Sequence, residues 1–315
     1  MIPVIDLSRY QGTVDFNMMV SHNVQGVICR AGNGVDPDPT FLPDVAAAKA
    51  AGLKTGAYWF CNPKIGSAAQ QGQLLADAHT VAGCEIPPML DIESFARERG
   101  TQATPSPSQY AAWLHLMVAA VEPTRSPILY SNASFWNPNV GSPDFAGYDI
   151  IVARYPFYSP NECAAHVPPA DAALWGDWIM AETTARPQVP AGWVDWSGWQ
   201  FSAGYNGRAS TYGAQGNDLD LNIIRPEVWA RWTGHDTQPT TSTTDIGADD
   251  MVRVIANGDN KTDTNRWSWN GQVKVHLTLS GYNFLLYMRM VDPSTTLDAP
   301  IWMDQATLDS FPTVA

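Results

Sequence analysis

With 315 residues, 45% of them hydrophobic, and 24 glycines and 24 prolines, the chain is long enough for a large core plus an appendage and is rich in turns. Its 31 acidic against 18 basic residues give a net charge of −13, which excludes the basic face that nucleic acid requires. No apolar run approaches the roughly 20 residues of a membrane span, so membrane insertion is not expected, and the opening Met1-Ile2-Pro3-Val4 lacks a signal-peptide pattern.

Taken in order, apolar runs alternate with helical patterns. Strands are predicted at residues 2–7, 25–31, 54–60, 86–93 and 127–131, with helical stretches at 16–20, 41–51 and 67–81 between them. The clearest helix follows Ser106-Pro107-Ser108-Gln109, which has capping-box spacing with proline at the first helical position. Tyr110, Trp113, Leu114, Met117, Val118 and Val121 then recur on one face. Repeated β-α order means a parallel sheet covered by helices. Beyond Ser131 the helical signal fades, and strands at 149–155, 193–201 and 219–224 are joined by loops, with a last helix at 226–232. Eight such strands close into a barrel whose chemistry lies at the strands' carboxyl ends.

Residues 1–232 therefore read as one barrel domain. Residues 233–248, with Thr240-Thr241-Ser242-Thr243-Thr244, read as a linker. Residues 249–315 read as a small all-β module with strands at 251–256, 272–279 and 284–291 and hairpin turns at Asn257-Gly258 and Asn270-Gly271.

Several chemistries find no support. The six histidines are scattered without zinc-ligand spacing, and the four cysteines (Cys29, Cys61, Cys84, Cys163) form no CxxC pair. Neither a metal nor a cofactor is expected; buried free thiols are, with a Cys29–Cys61 bridge as the alternative. Asp36-Pro37-Asp38-Pro39 reads as a loop and not as a calcium site. What remains is carboxylates. Asp91 and Glu93 end the 86–93 strand two residues apart, hence on one face, where each raises the other's pKa. Asp6 ends the first strand, and Asp218 and Asp220 open the last. Such a group suits glycosidic cleavage, which needs a proton donor and negative charge beside an oxocarbenium-like centre.

Asp6-Leu7-Ser8 with Gln11-Gly12, then residues 48–60, Asp91-Ile92-Glu93, Tyr130-Ser131, residues 151–155, Trp199-Gln200-Phe201 and Asp220-Leu221-Asn222 resemble, in this order, the motifs of glycoside hydrolase family 25, the Chalaropsis-type lysozymes, phage endolysins among them. The resemblance implies an α/β fold: an irregular TIM-like barrel of five β/α units followed by three strands, here with the small β module appended. It implies cleavage of the β-1,4 bond between N-acetylmuramic acid and N-acetylglucosamine, with bacterial peptidoglycan as the partner. Glu93 would be the general acid, Asp91 would support the reacting centre or the acetamido group, and Asp6 and Asp220 would complete an acidic floor, with Asp218 competing for the last place. Tyr58, Phe60, Tyr130, Tyr155 and Trp199 would line the cleft as sugar-stacking surfaces, with Gln200 as a polar substrate contact. Trp59 stands where the family often has His and is expected to point away from the cleft.

The expected protein is an endolysin, made in the host cytoplasm and acting at the cell wall after release. The other reading is a non-catalytic peptidoglycan-binding or virion structural protein on the same barrel. The sequence leaves open the role of the tail module, the stereochemical course and the oligomeric state.

Overall fold

The computed structural model describes residues 1–95, 100, 102–204 and 208–234, and, further on, strand segments between 253 and 314. Contacts divide the chain into two units, Met1–Thr237 and Gln238–Ala315.

In the first unit, β1 (Ile2–Leu7), α1 (Phe16–Ser21), β2 (Gly26–Asn33), β3 (Asp36–Pro37), α2 (Phe41–Ala50), β4 (Lys54–Phe60), α3 (Ala68–Ala82), β5 (Met89–Asp91), α4 (Pro107–Val121) and β6 (Ile128–Ser131) carry the expected alternation. They are followed by α5 (Ala133–Asn139), β7 (Ile150–Ala153), α6 (Pro160–Ala165), α7 (Trp175–Glu182), β8 (Gly198–Ser202), β9 (Asp220–Ile224) and α8 (Pro226–Thr233). Neighbouring strands run β1-β9-β8-β7-β6-β5-β4-β2, and β1 also pairs with β2, so eight strands close into a barrel while β3 hangs on the edge of β2. Around the barrel β1, β2, β4, β5, β6, β7 and β8 pair in parallel, while β9 is antiparallel to both neighbours and the edge strand β3 is antiparallel to β2. That reversal brings the start of β9 to the mouth formed by the carboxyl ends of the other strands.

Local chemistry explains the elements. Ser106 and Gln109 form a complete capping box with Pro107 in the first turn, and Tyr110, Leu114, Met117, Val118 and Val121 bury the apolar face of α4. α3 crosses α4 closely because Gly72 has no side chain; a Cβ there would stand 2.6 Å from the Met117 carbonyl oxygen. Ile28, Ile86, Met89, Ile128, Ile151 and Ile224 fill the barrel interior, and Val228 and Trp232 of α8 plug its lower end.

Several expectations are corrected. The predicted strand 86–93 is paired only over Met89–Asp91, and 193–201 only over Gly198–Ser202. Helices α5, α6 and α7 occupy the stretch read as loops. They span seven, six and eight residues, too short for a 3.6-residue period to declare itself, and α5 carries Pro138 inside it. Of the Asp36–Pro39 stretch, two residues form β3, and Asp38 is buried against Arg30. All four cysteines are free and buried.

In the second unit, β10 (Arg253–Asn257), β11 (Trp267–Trp269), β12 (Lys274–His276), β13 (Ile301–Met303) and β14 (Thr313–Val314) form a sheet in the order β13-β10-β11-β12-β14. Strands expected at 251–256 and 272–279 correspond to β10 and β12. The 284–291 strand, both hairpin turns and the linker beyond Gly234 lie outside the described residues.

Candidate active site

Strand alternation sorts the functional side chains. Val4 and Ile28 face the barrel interior, so Asp6 and Arg30, two residues further on, face it at the mouth. The same step leads from Met89 to Asp91, from Ile128 to Tyr130 and from Gly198 to Gln200; on β9, which runs the other way, it leads from Ile224 to Asn222 and Asp220. Asp6 and Asp220 stand opposite each other in the β1–β9 register.

The four predicted acids meet there. Asp6 and Asp91 are buried, while Glu93 and Asp220 are partly open. Burial, then the charge of Asp220, pushes the Asp6 carboxyl well above its ordinary range, against the pull of the Asn222 and Gln200 amides. Asp91 is raised by burial, then by Glu93 and Asp6. Burial, then Glu93 and Asp218, lifts Asp220 to about 7. One Oδ1 each of Asp6, Asp91 and Asn222 is buried without a hydrogen-bond partner among the described residues. Crowded, desolvated acids of this kind retain protons near neutrality and titrate as a group.

One amide links the cluster to the tyrosines. Gln200 Nε2 donates to Asp6 Oδ2 at 3.0 Å, and Gln200 Oε1 accepts from the Tyr130 hydroxyl at 2.7 Å and from the Tyr155 hydroxyl. On the other side, the Asp6-to-Gly12 motif has a mechanical meaning. Ser8 and Gln11 form a capping box around a short 3-10 turn, and Gln11 Nε2 donates to the Asp218 carbonyl at 3.1 Å. The turn after β1 is thereby tied to the loop that delivers Asp220. Gly12, at φ 66°, takes a conformation that favours glycine.

Sequence reasoning missed a wall of this site. A cavity of about 430 Å³ is lined by Ser8, Tyr10, Gln11, Arg30, Tyr58, Asn217, Asp218 and Asp220, among others. Arg30 is held by Asp38 at 2.7 Å and lies 4.9 Å from the centre of the Tyr10 ring. A lone charge in the apolar run Val27-Ile28-Cys29-Arg30-Ala31, on the Ile28 face, was the available signal.

Tyr58 lines the cavity, and Tyr130 and Tyr155 bound the acid cluster through Gln200. Phe60 is buried at the carboxyl end of β4, in register with Asp91. Trp199 is not in the cleft. It is 0% exposed, gives its ring N–H to the Arg154 carbonyl at 2.7 Å and packs edge-on to Trp196 and Phe201. Adjacent residues of a strand face opposite ways, so Trp199 and Gln200 cannot both line the barrel. Trp59 points away from the cleft as expected, with its ring N–H 2.9 Å from the Gly34 carbonyl. Among the described residues no group of three or more His, Cys, Asp or Glu side chains could hold a metal ion, and no helix is long and apolar enough to cross a membrane.

The family model for glycosyl hydrolases family 25 matches residues 5–208, which include Asp6, Asp91, Glu93 and Gln200. The chain belongs to glycosyl hydrolases family 25. Lysozyme M1 of Streptomyces globisporus is 28% identical over 227 residues, covering 69% of this chain and 66% of that protein, so this chain spans just under two thirds of that relative. Among solved structures, a bacterial lysozyme from Streptomyces coelicolor superposes with a TM-score of 0.56 at 23% identity, over 74% of this chain and 97% of the other. The catalytic domain of endolysin ply40, from bacteriophage P40 of Listeria monocytogenes, does so with a TM-score of 0.52 at 18% identity, over 74% and 98%. At these identities the structural likeness establishes the fold. The family match ends at residue 208, before β9 begins.

Proposed function

We propose that this family-25 protein is an N-acetylmuramidase that hydrolyses the β-1,4 bond between N-acetylmuramic acid and N-acetylglucosamine in bacterial peptidoglycan. The observation that carries the reading is the meeting of Asp6, Asp91, Glu93 and Asp220 at one mouth, where burial and mutual repulsion raise Asp6, Asp91 and Asp220. Glu93 is the general acid: it follows the last paired residue of β5 and is more open than Asp91 behind it, so a glycosidic oxygen reaches it first. Asp91 stabilises the positive charge that develops at the sugar's anomeric carbon, or orients the acetamido group, and Asp6 and Asp220 complete the acidic floor, sharing protons with the other acids. Tyr58, Phe60, Tyr130 and Tyr155 form the wall against which sugar rings rest.

The biological setting proposed is host lysis by a phage endolysin, synthesised in the host cytoplasm and released to the wall. Its support is the likeness of fold to a phage endolysin and the appended second unit, for which wall attachment is the proposed role. The test is digestion of purified cell walls by the full chain. Falling turbidity with new reducing ends on muramic acid is expected; an absence of reducing ends would overturn the hydrolase reading and leave the non-catalytic wall-binding alternative.

A further inference from the structure

Gln200 is 3% exposed and Asp6 4%, both in the barrel interior. The amide of Gln200 is engaged at both ends. Its nitrogen serves Asp6 Oδ2 and its oxygen takes two tyrosine hydroxyls, one from β6 and one just beyond β7, which themselves lie 3.3 Å apart. Two hydroxyl donors converging on one oxygen fix which way the amide faces, because a flipped amide would turn its oxygen on the carboxylate. Its oxygen is committed to the two tyrosines and one of its N–H groups to Asp6.

We propose that Gln200 is a positioning residue for Asp6, clamped by Tyr130 and Tyr155 so that its N–H fixes the Asp6 carboxyl group in place. This rests on the muramidase reading, in which Asp6 completes the acidic floor beneath the scissile bond. The groups around Asp6 make such a donor necessary. Asp220 faces it from β9 and Asp91 from β5, both disfavouring its charge. Tyr58 on β4 and Cys29 on β2 also lie within electrostatic reach, and neither supplies a positive charge. Arg30, the basic group beside this cluster, is bound to Asp38. Among the described residues Oδ1 of Asp6 has no hydrogen-bond partner, and the Gln200 N–H at Oδ2 acts together with the nearby Asn222 amide in favour of the carboxylate.

The experiment compares the full-length wild type with Q200L, Q200E and Y155F. It records kcat and KM for reducing-end release across the pH range in which the protein stays folded, and follows the Asp6 carboxyl carbon by NMR titration. Q200L is expected to lower kcat by roughly tenfold or more with KM nearly unchanged, and to move the Asp6 titration upward by roughly one unit. Q200E keeps the tyrosine contacts but replaces the donor with an acid, so its activity is expected to survive only on the acidic side. Y155F, which keeps the fold least disturbed, is expected to show the same shift at smaller size. A raised KM with unchanged kcat in Q200L, or an Asp6 titration identical in wild type and Q200L, would overturn the proposal. If the wild type itself releases no reducing ends, the muramidase reading fails separately, and the NMR titration still decides whether Gln200 governs Asp6.

Discussion

At the lower end of the barrel, Val4, Ile28, Ile86, Met89, Ile128, Ile151 and Ile224 meet Val228 and Trp232 in an apolar plug bordered by paired polar groups. Arg125 donates to the carbonyls of Glu85 and Trp232, and the Trp232 ring N–H reaches Asp149 at 2.8 Å. Burial raises Asp149, but hydrogen bonds from Arg231, Ser197 and Trp232 outweigh it and hold this carboxyl below its ordinary range. His79, pushed by burial down to about 4, is neutral and bonded to the Ile86 carbonyl. At the upper end of the same interior, three buried oxygens lack partners among the described residues and three carboxyls are raised. The same strands therefore carry stability at one end and an unfavourable concentration of acids at the other. Unpaired acceptors and crowded charge cost folding free energy, and a site that must supply protons and negative field retains them at that cost.

The largest effect is expected from breaking the floor. Trp232→Ala removes a large buried ring and leaves Asp149 short of a donor, for a loss of about 3–5 kcal/mol in denaturant unfolding, with activity per folded molecule retained. Next comes relief of the mouth. The native state holds the Asp220 proton up to about 7, whereas an unfolded Asp releases it near about 3.9. Between those values the native state binds more protons, so Asp220 subtracts stability as pH rises from about 4 to about 7. Asp220→Asn should gain on the order of 2 kcal/mol at pH 8 and almost nothing at pH 4, measured by thermal unfolding across pH, and should lose activity. A gain that is equal at both pH values would remove the electrostatic account of the mouth. The smallest effect belongs to a helix outside the barrel. Ser106→Ala deletes the capping box of α4 and should cost about 1 kcal/mol without changing activity.

The same contrast governs what the sequence makes legible. Apolar runs disclose the barrel strands, and the Ser106–Gln109 box with its following stripe discloses α4, because local pattern and burial coincide there. The acids were legible as strand-end residues, since a charge closing an apolar run has few structural uses. Short helices such as α5 were not, because one or two turns built from Asn, Pro and aromatic residues carry no period. Trp199 was misplaced because aromatic type outweighed alternation: its neighbour Gln200 faces inward and it cannot. Arg30 went unread because its partner Asp38 lies across a turn that looked like a simple loop.

Glu93 is the residue that gives up the proton in the proposed muramidase reaction. Purified cell walls digested by wild type and by Glu93→Gln, with reducing ends counted and thermal unfolding followed in parallel, test it directly. Loss of on the order of 10²-fold or more in rate, in a variant at least as stable as the wild type because one like charge has left the cluster, is the predicted result. Equal rates from two equally folded proteins would contradict it.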